Sequence, residues 1–171
     1  MCIRDRFGSV DVLVANHARS SSSSLHDVTA EELDGSWAVN ARAVVLLVQA
    51  FAAQRGGDRS DRRIVLFTSG QHLAPMPGEL AYAVSKGAVH QMTRTLAGAL
   101  AGDAITVNAI NPGPVDTGWA SDELRDELLG RFPAGRWGRP EDIAAVVSWL
   151  ASPDSRQVTG QVIDAEGGFR R

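Results

Sequence analysis

Lysine and tyrosine are almost absent from this 171-residue chain: each occurs once, as Lys86 and Tyr82, although seventeen side chains are basic and the other sixteen are all arginine. Cysteine also occurs once, as Cys2, which excludes an internal disulfide and suits a reducing compartment. The four histidines, His17, His26, His72 and His90, lack metal-ligand spacing, so no metal is expected. No apolar run approaches the ~20 residues of a spanning helix, and the start lacks a charged-then-apolar signal pattern. A soluble cytoplasmic protein without a membrane partner is therefore expected. A net charge of −3 with scattered arginines gives no general pull toward nucleic acid. What remains is an ordinary globular composition, 44% hydrophobic and 22% charged, long enough for one domain with its own core.

Strand and helix patterns alternate along the chain, which predicts a parallel α/β sheet. Strands are expected at 10–15, in the apolar run Ile64-Val65-Leu66-Phe67 bounded by Arg62-Arg63 and Gly70, at 106–110 and at 160–164. Helices are expected at 29–54, opened by a Thr29/Glu32 capping box, and at 78–101, 122–132 and 141–151. The five serines at 20–24 and the polar stretch 55–61 suggest loops, the first of them mobile. No repeat or second domain is evident.

Tyr82 and Lys86 stand four residues apart, so on a helix both project from one face. An ammonium beside a phenol favours the phenolate and should lower a pKa that is ordinarily about 10. A pair on an exposed helix face without function has the same spacing. The neighbourhood argues for the chemical reading. Ser69 closes the 64–67 strand, where open α/β sheets bind ligands. Asn40, a mediocre helix former, sits in the apolar segment Trp37-Ala38-Val39-Asn40-Ala41, as if something polar required it there.

Asn40, Ser69, Tyr82 and Lys86, in this order and spacing, resemble the catalytic tetrad of the short-chain dehydrogenase/reductase family. Val12-Leu13-Val14-Ala15-Asn16-His17-Ala18 is similar to the family's strand ending Asn-Asn-Ala-Gly, with Ala15, His17 and Ala18 departing from it. The segments 105–113, 139–144 and 158–168 resemble its next-to-last strand, last helix and last strand. The likeness runs from Phe7 onward, so residues 1–6 form a segment outside the family pattern and 7–171 the C-terminal part of one NAD(P)-binding domain.

By this resemblance the fold is a partial Rossmann fold: a doubly wound parallel sheet in a three-layer αβα arrangement, lacking its first three strands. The glycine-rich turn that seats a dinucleotide pyrophosphate is absent; Gly56-Gly57 lies in the charged loop and Gly167-Gly168 closes the last strand. An N-terminally truncated gene and a genuine short form fit this equally. The resemblance implies NAD or NADP as cofactor, contacted by Asn16, Ala18, Tyr82, Lys86, Pro112, Gly113, Val115 and Thr117. It implies hydride transfer on a carbonyl or secondary alcohol, nearest to 3-oxoacyl-carrier-protein reductases. Tyr82 is then the general acid/base, Lys86 its partner on the nicotinamide ribose, Ser69 the stabiliser of the substrate oxygen, and Asn40 the support of a relay water. Segment 118–137 is then a lid, in which Trp119, Leu124, Leu128 and Phe132 either line a pocket or pack the core. A homo-oligomer, a tetramer by family, is expected through the helices holding Asn40 and Tyr82, and the apolar run 43–53 suits such an interface or the core. The alternative function is a non-catalytic fragment that at most binds a partner.

Overall fold

The computed structural model describes residues 8–54 and 61–171. Most of the expected 55–61 loop therefore lies outside the described residues. Strands β1 (Val12–Ala15), β2 (Arg62–Phe67), β3 (Ile105–Asn111) and β4 (Val162–Asp164) form one sheet in the order β1-β2-β3-β4, all parallel. The helices are α1 (Ala30–Ser36), α2 (Ala43–Ala52), α3 (Leu80–Leu100), α4 (Asp122–Leu129) and α5 (Pro140–Leu150).

Side-chain alternation in the central strands builds two cores, because successive residues of a strand face opposite sides of the sheet. Ile64 and Leu66 of β2, with Ile105, Val107 and Ala109 of β3, join Val44, Val48, Phe51, Val89 and Ala97 from α2 and α3 on one face. Val65, Phe67 and Ile110 face the other way, onto Ile143 and Leu150 of α5. A one-residue slip of β2 would exchange these sets, so its register with β3 (Ile64 opposite Val107) is strongly specified. The strand also takes in Arg62 and Arg63, which the sequence pattern placed at its border. Both are buried, Arg63 donating to Asp61 and to the Ser152 carbonyl, Arg62 to the Phe51 carbonyl.

Thr29 caps α1, its hydroxyl accepting from the Glu32 N–H at 3.2 Å. Between α1 and α2 the helix widens into a π-helical segment, Trp37–Arg42, that contains Asn40. Such widenings are uncommon and concentrate at functional sites. The serine run is tied down at its C-terminal end: the Ser23 carbonyl accepts from Leu80 N–H at the start of α3, and Ser24 and Asp27 close a turn.

Although no unbroken apolar run is that long, the helical stretch Ala30–Ala52 is by length and composition alone apolar enough to cross a membrane, one 18-residue window in it having a mean hydropathy of 1.3. Scattered polar residues interrupt every pure run while leaving the window average high. Val44, Val48 and Phe51 bury one side of α2 in the core, whereas Val45, Leu46 and Leu47 stay exposed. The run 43–53 thus serves the core along one stripe only.

Candidate active site

The C-terminal ends of the strands carry the site, as in open α/β sheets generally. Beyond β2 the chain passes through Thr68 and Ser69 into a 3₁₀ turn, Gly70–His72. Beyond β3 it enters the loop 112–119. A cleft of about 870 Å³ opens between them, lined by Ser69, Tyr82, Gly113, Trp119, Glu79 and Arg131, among others.

Tyr82 and Lys86 occupy successive turns of α3, which starts from Leu80. Lys86 is 3% exposed; its Nζ donates to the Phe67 carbonyl at 2.9 Å and lies 5.7 Å from the centre of the Tyr82 ring. The other two N–H donors of this buried ammonium meet no partner among the described residues. Burial pushes the Lys86 pKa down to about 8.

The phenol behaves opposite to the sequence expectation. Burial raises the Tyr82 pKa above its ordinary value, a hydrogen bond with Ser69 opposes the rise, and the Glu79 carboxylate adds to it. Lys86 is not among these causes, because burial lowers its own pKa to about 8, so its charge is gone before the phenol ionises. Desolvation of the phenolate wins over any help from the lysine.

Asn40 is 1% exposed and fixes the opposite wall. Its Nδ2 donates to the Arg19 carbonyl and to the Ser85 hydroxyl, both at 2.9 Å, and its Oδ1 accepts from the Arg19 N–H at 2.7 Å. The Ser85 hydroxyl in turn donates to the Tyr82 carbonyl at 2.8 Å. Asn40 therefore locks the loop after β1 onto the turn of α3 that carries Tyr82. Both N–H donors are consumed, leaving one Oδ1 lone pair free for any water. Ser85, which closes this clamp, had no distinguishing sequence signal beyond its place between Tyr82 and Lys86.

Gly113 has φ +62°, and an added Cβ would lie 2.9 Å from Glu166 Cβ and Cγ and 3.2 Å from its Cα. Its N–H donates to Asn111 Oδ1 at 3.2 Å. Gly113→Ala is expected to cost about 2 kcal/mol from the left-handed backbone and the overpacking together. A lower urea midpoint at unchanged m-value is the measurement, and an unchanged midpoint would show that the loop relaxes freely.

Ser69, Tyr82 and Gly113 share the cleft wall, and Lys86 and Asn40 lie buried behind it. Asn16, Ala18 and Thr117 are exposed and, with Pro112 and Val115, lie outside the lining of the cleft. Trp119 reaches the cleft, whereas Phe132 is buried against Trp137 and Phe169 and so packs the core. Leu124 and Leu128 do not line it. Glu79, Arg131 and Arg171 were not marked by sequence, since single surface-type charges carry no pattern. Arg171 is ion-paired to Glu166, and its guanidinium lies over Gly70, where an added Cβ would have to displace it. No cluster of metal-ligating side chains occurs among the described residues.

A parallel sheet with helices on both faces, carrying a Ser–Tyr–Lys constellation at its strand ends, defines a Rossmann-type oxidoreductase scaffold. Residues 2–170 match the family model described as enoyl-(acyl carrier protein) reductase. The chain belongs to the short-chain dehydrogenase/reductase family. An uncharacterized oxidoreductase of Bacillus subtilis, YjdA, is 45% identical over 170 residues, covering 99% of this chain and 68% of the relative. The 3-oxoacyl-[acyl-carrier-protein] reductase FabG of Thermotoga maritima is 37% identical, covering 96% of this chain and 68% of its own length. Among solved structures, the angucycline C-6 ketoreductase LanV with bound NADP superposes with a TM-score of 0.88 at 34% identity, over 97% of this chain and 65% of LanV. The chain thus spans about two thirds of the length of these relatives.

Proposed function

We propose that this protein interconverts a small-molecule ketone and its secondary alcohol with NAD or NADP, in the manner of a 3-oxoacyl reductase or an angucycline ketoreductase. The observation that carries the reading is Ser69 and Tyr82 on one cleft wall, with the buried Lys86 one turn behind and two of its donors unclaimed. Relatives named as ketoreductases, one with NADP bound, support it.

The residues present fit the nicotinamide end of such a cofactor. Lys86 offers free donors to ribose hydroxyls, and Gly113 lets the backbone approach where a Cβ would not fit. Asn16, Ala18, Pro112, Val115 and Thr117 are proposed to complete the contact from the flanking loops. A bound reduced nicotinamide supplies the hydride that reaches the carbonyl carbon. Tyr82 Oη gives its proton to the carbonyl oxygen, and the raised pKa keeps that proton in place at neutral pH. The Ser69 hydroxyl donates to the same oxygen as negative charge builds on it. Lys86, with a pKa near 8, reprotonates Tyr82. Asn40 holds the Tyr82 turn in register through Ser85 and offers one acceptor to a relay water. The apolar faces left exposed at Trp37, Leu46 and Val84 suit contact between copies of the chain.

The edge strand favours a second reading. Among the described residues β1 pairs with β2 alone, and Val12 and Val14 are 37% and 42% exposed. An open apolar edge of this kind fits a non-catalytic chain that docks onto another polypeptide. Titration of residues 1–171 with NADPH and NADH, followed by nicotinamide fluorescence and a thermal melt, separates the two. Saturable binding with a raised melting temperature is expected, and its absence would leave the docking reading.

A further inference from the structure

Ser69 lines the large cleft and is bonded to a residue of a second one. Its hydroxyl serves the large one, while its backbone carbonyl accepts a hydrogen bond from His72 Nδ1 at 3.2 Å. His72 lines a second, smaller cleft of about 360 Å³ with His90, Gln91, Arg94, Val162 and Asp164. Its other nitrogen, Nε2, lies 3.1 Å from Asp164 Oδ1 on β4.

Both partners of this ring are acceptors. A backbone carbonyl never donates, and an ionised carboxylate cannot. The imidazole satisfies both at once only when both nitrogens carry protons. A neutral ring keeps one contact and loses the other, whichever tautomer it adopts.

The linkage continues past Asp164. Asn111, fully buried at the end of β3, donates from Nδ2 to Asp164 Oδ1 and to Glu166 Oε1, each at 2.8 Å, and accepts from Gly113 N–H at 3.2 Å. A continuous chain therefore runs from the Ser69 carbonyl through His72, Asp164 and Asn111 to Gly113. It joins the two walls of the large cleft behind its surface.

We propose that His72 is a positioning residue whose doubly protonated ring clamps the Ser69 turn to β4, and through Asn111 to the Gly113 loop, releasing one end when the ring loses a proton. This rests on the reading of Ser69 and Tyr82 as the reacting pair. The charged groups around the ring are Asp164 on β4, His90 and Arg94 on α3 and, one step further, Glu166 with its partner Arg171. The His90 ring lies 4.6 Å from His72. Burial first, and then His72, hold its pKa below the ordinary histidine value.

The first readout needs no variant and no turnover. In ¹⁵N-labelled protein taken from pH 5.5 to 8.5, the amide signals of Gly70 and Gly113 are expected to shift together with the His72 ring nitrogens. They should stop doing so in His72→Gln and continue in His90→Gln. Amides that ignore the His72 ring in the wild type overturn the proposal. The second readout is ketone reduction. Wild-type kcat is expected to fall about three- to tenfold as the ring deprotonates, with the KM for cofactor nearly constant. His72→Gln should lack that inflection and sit at the lower plateau throughout. An inflection that survives in His72→Gln also overturns the proposal. Coupled amides in a protein that reduces no ketone at any pH support the clamp and overturn the ketoreductase reading instead.

Discussion

Replacing Tyr82 by phenylalanine is expected to lower ketone turnover by about 10²–10⁴-fold, the range in which a positioned proton donor contributes. NADPH affinity should stay within about twofold, because the phenyl ring keeps its packing on α3 and the Lys86 contacts are untouched. The magnitude follows from the burial that raises the Tyr82 pKa. A phenol kept neutral by burial stands beside Ser69 on the cleft wall with its proton in place. Water would have to replace it with no fixed geometry. The check is a pair of assays on both proteins, initial rates with a saturating ketone and fluorescence titration with NADPH. Unchanged turnover with intact binding would remove Tyr82 from the chemistry and with it the proposed mechanism.

The second large effect concerns stability rather than rate. Lys86 is held at about 8 in the folded chain against an ordinary lysine value of 10.5, and the cause is burial. Between those values the unfolded chain binds the proton and the folded chain has released it. Unfolding is therefore favoured by low pH in this window, and stability rises as pH increases from 8 toward 10.5. Below 8 both states carry the proton and the full penalty of a buried ammonium applies, roughly 3 kcal/mol at 1.36 kcal/mol per unit. Lys86→Met removes that penalty at the cost of leaving the Phe67 carbonyl unpaired. The stability difference between wild type and variant is expected to move by about 2 kcal/mol in favour of the wild type between pH 7 and 9.5. That interval stops short of the range where Tyr82 ionises. Urea denaturation of both proteins at the two pH values measures it. Parallel pH dependences would mean that Lys86 is solvated like a surface lysine.

An isolated chain that keeps so costly a lysine needs a reason for it. Burial holds the ammonium against the end of β2, where two donors remain for a ligand. Arginine, with its broad fork and permanently bound proton, could neither fit this position nor give a proton up near neutral pH. The absence of lysine elsewhere in the chain is thus consistent with a single position that arginine cannot fill.

Much of the scaffold was legible in the linear pattern because each element obeys a local rule. The apolar 64–67 run became β2 and the stretches around α3 and α5 became helices, with ends shifted by a residue or two where caps and frayed turns decide. That Asn40, Ser69, Tyr82 and Lys86 belong together was what the family resemblance implied, and Ser69 and Tyr82 share the cleft wall with Lys86 and Asn40 buried behind it. The environment of each was not legible. Spacing suggested that Lys86 would lower the Tyr82 pKa, yet burial and Glu79 raise it. Asn40 was expected to face a water, yet its amide is mostly spent on Arg19 and Ser85, residues 21 positions before it and 45 after it. The 43–53 run suited core or interface equally until the fold buried one stripe of it.

The sequence by itself determined the order and type of the elements and the family, because these rest on periodicity and on motifs within a few residues of each other. Tertiary structure alone decided the protonation balance of Tyr82 and Lys86, the locking of Asn40, and the path from Ser69 through His72, Asp164 and Asn111 to Gly113. Desolvation and hydrogen-bond partnership depend on which distant segments meet, and His72 and Asp164 stand 92 positions apart in the chain yet 3.1 Å apart in space.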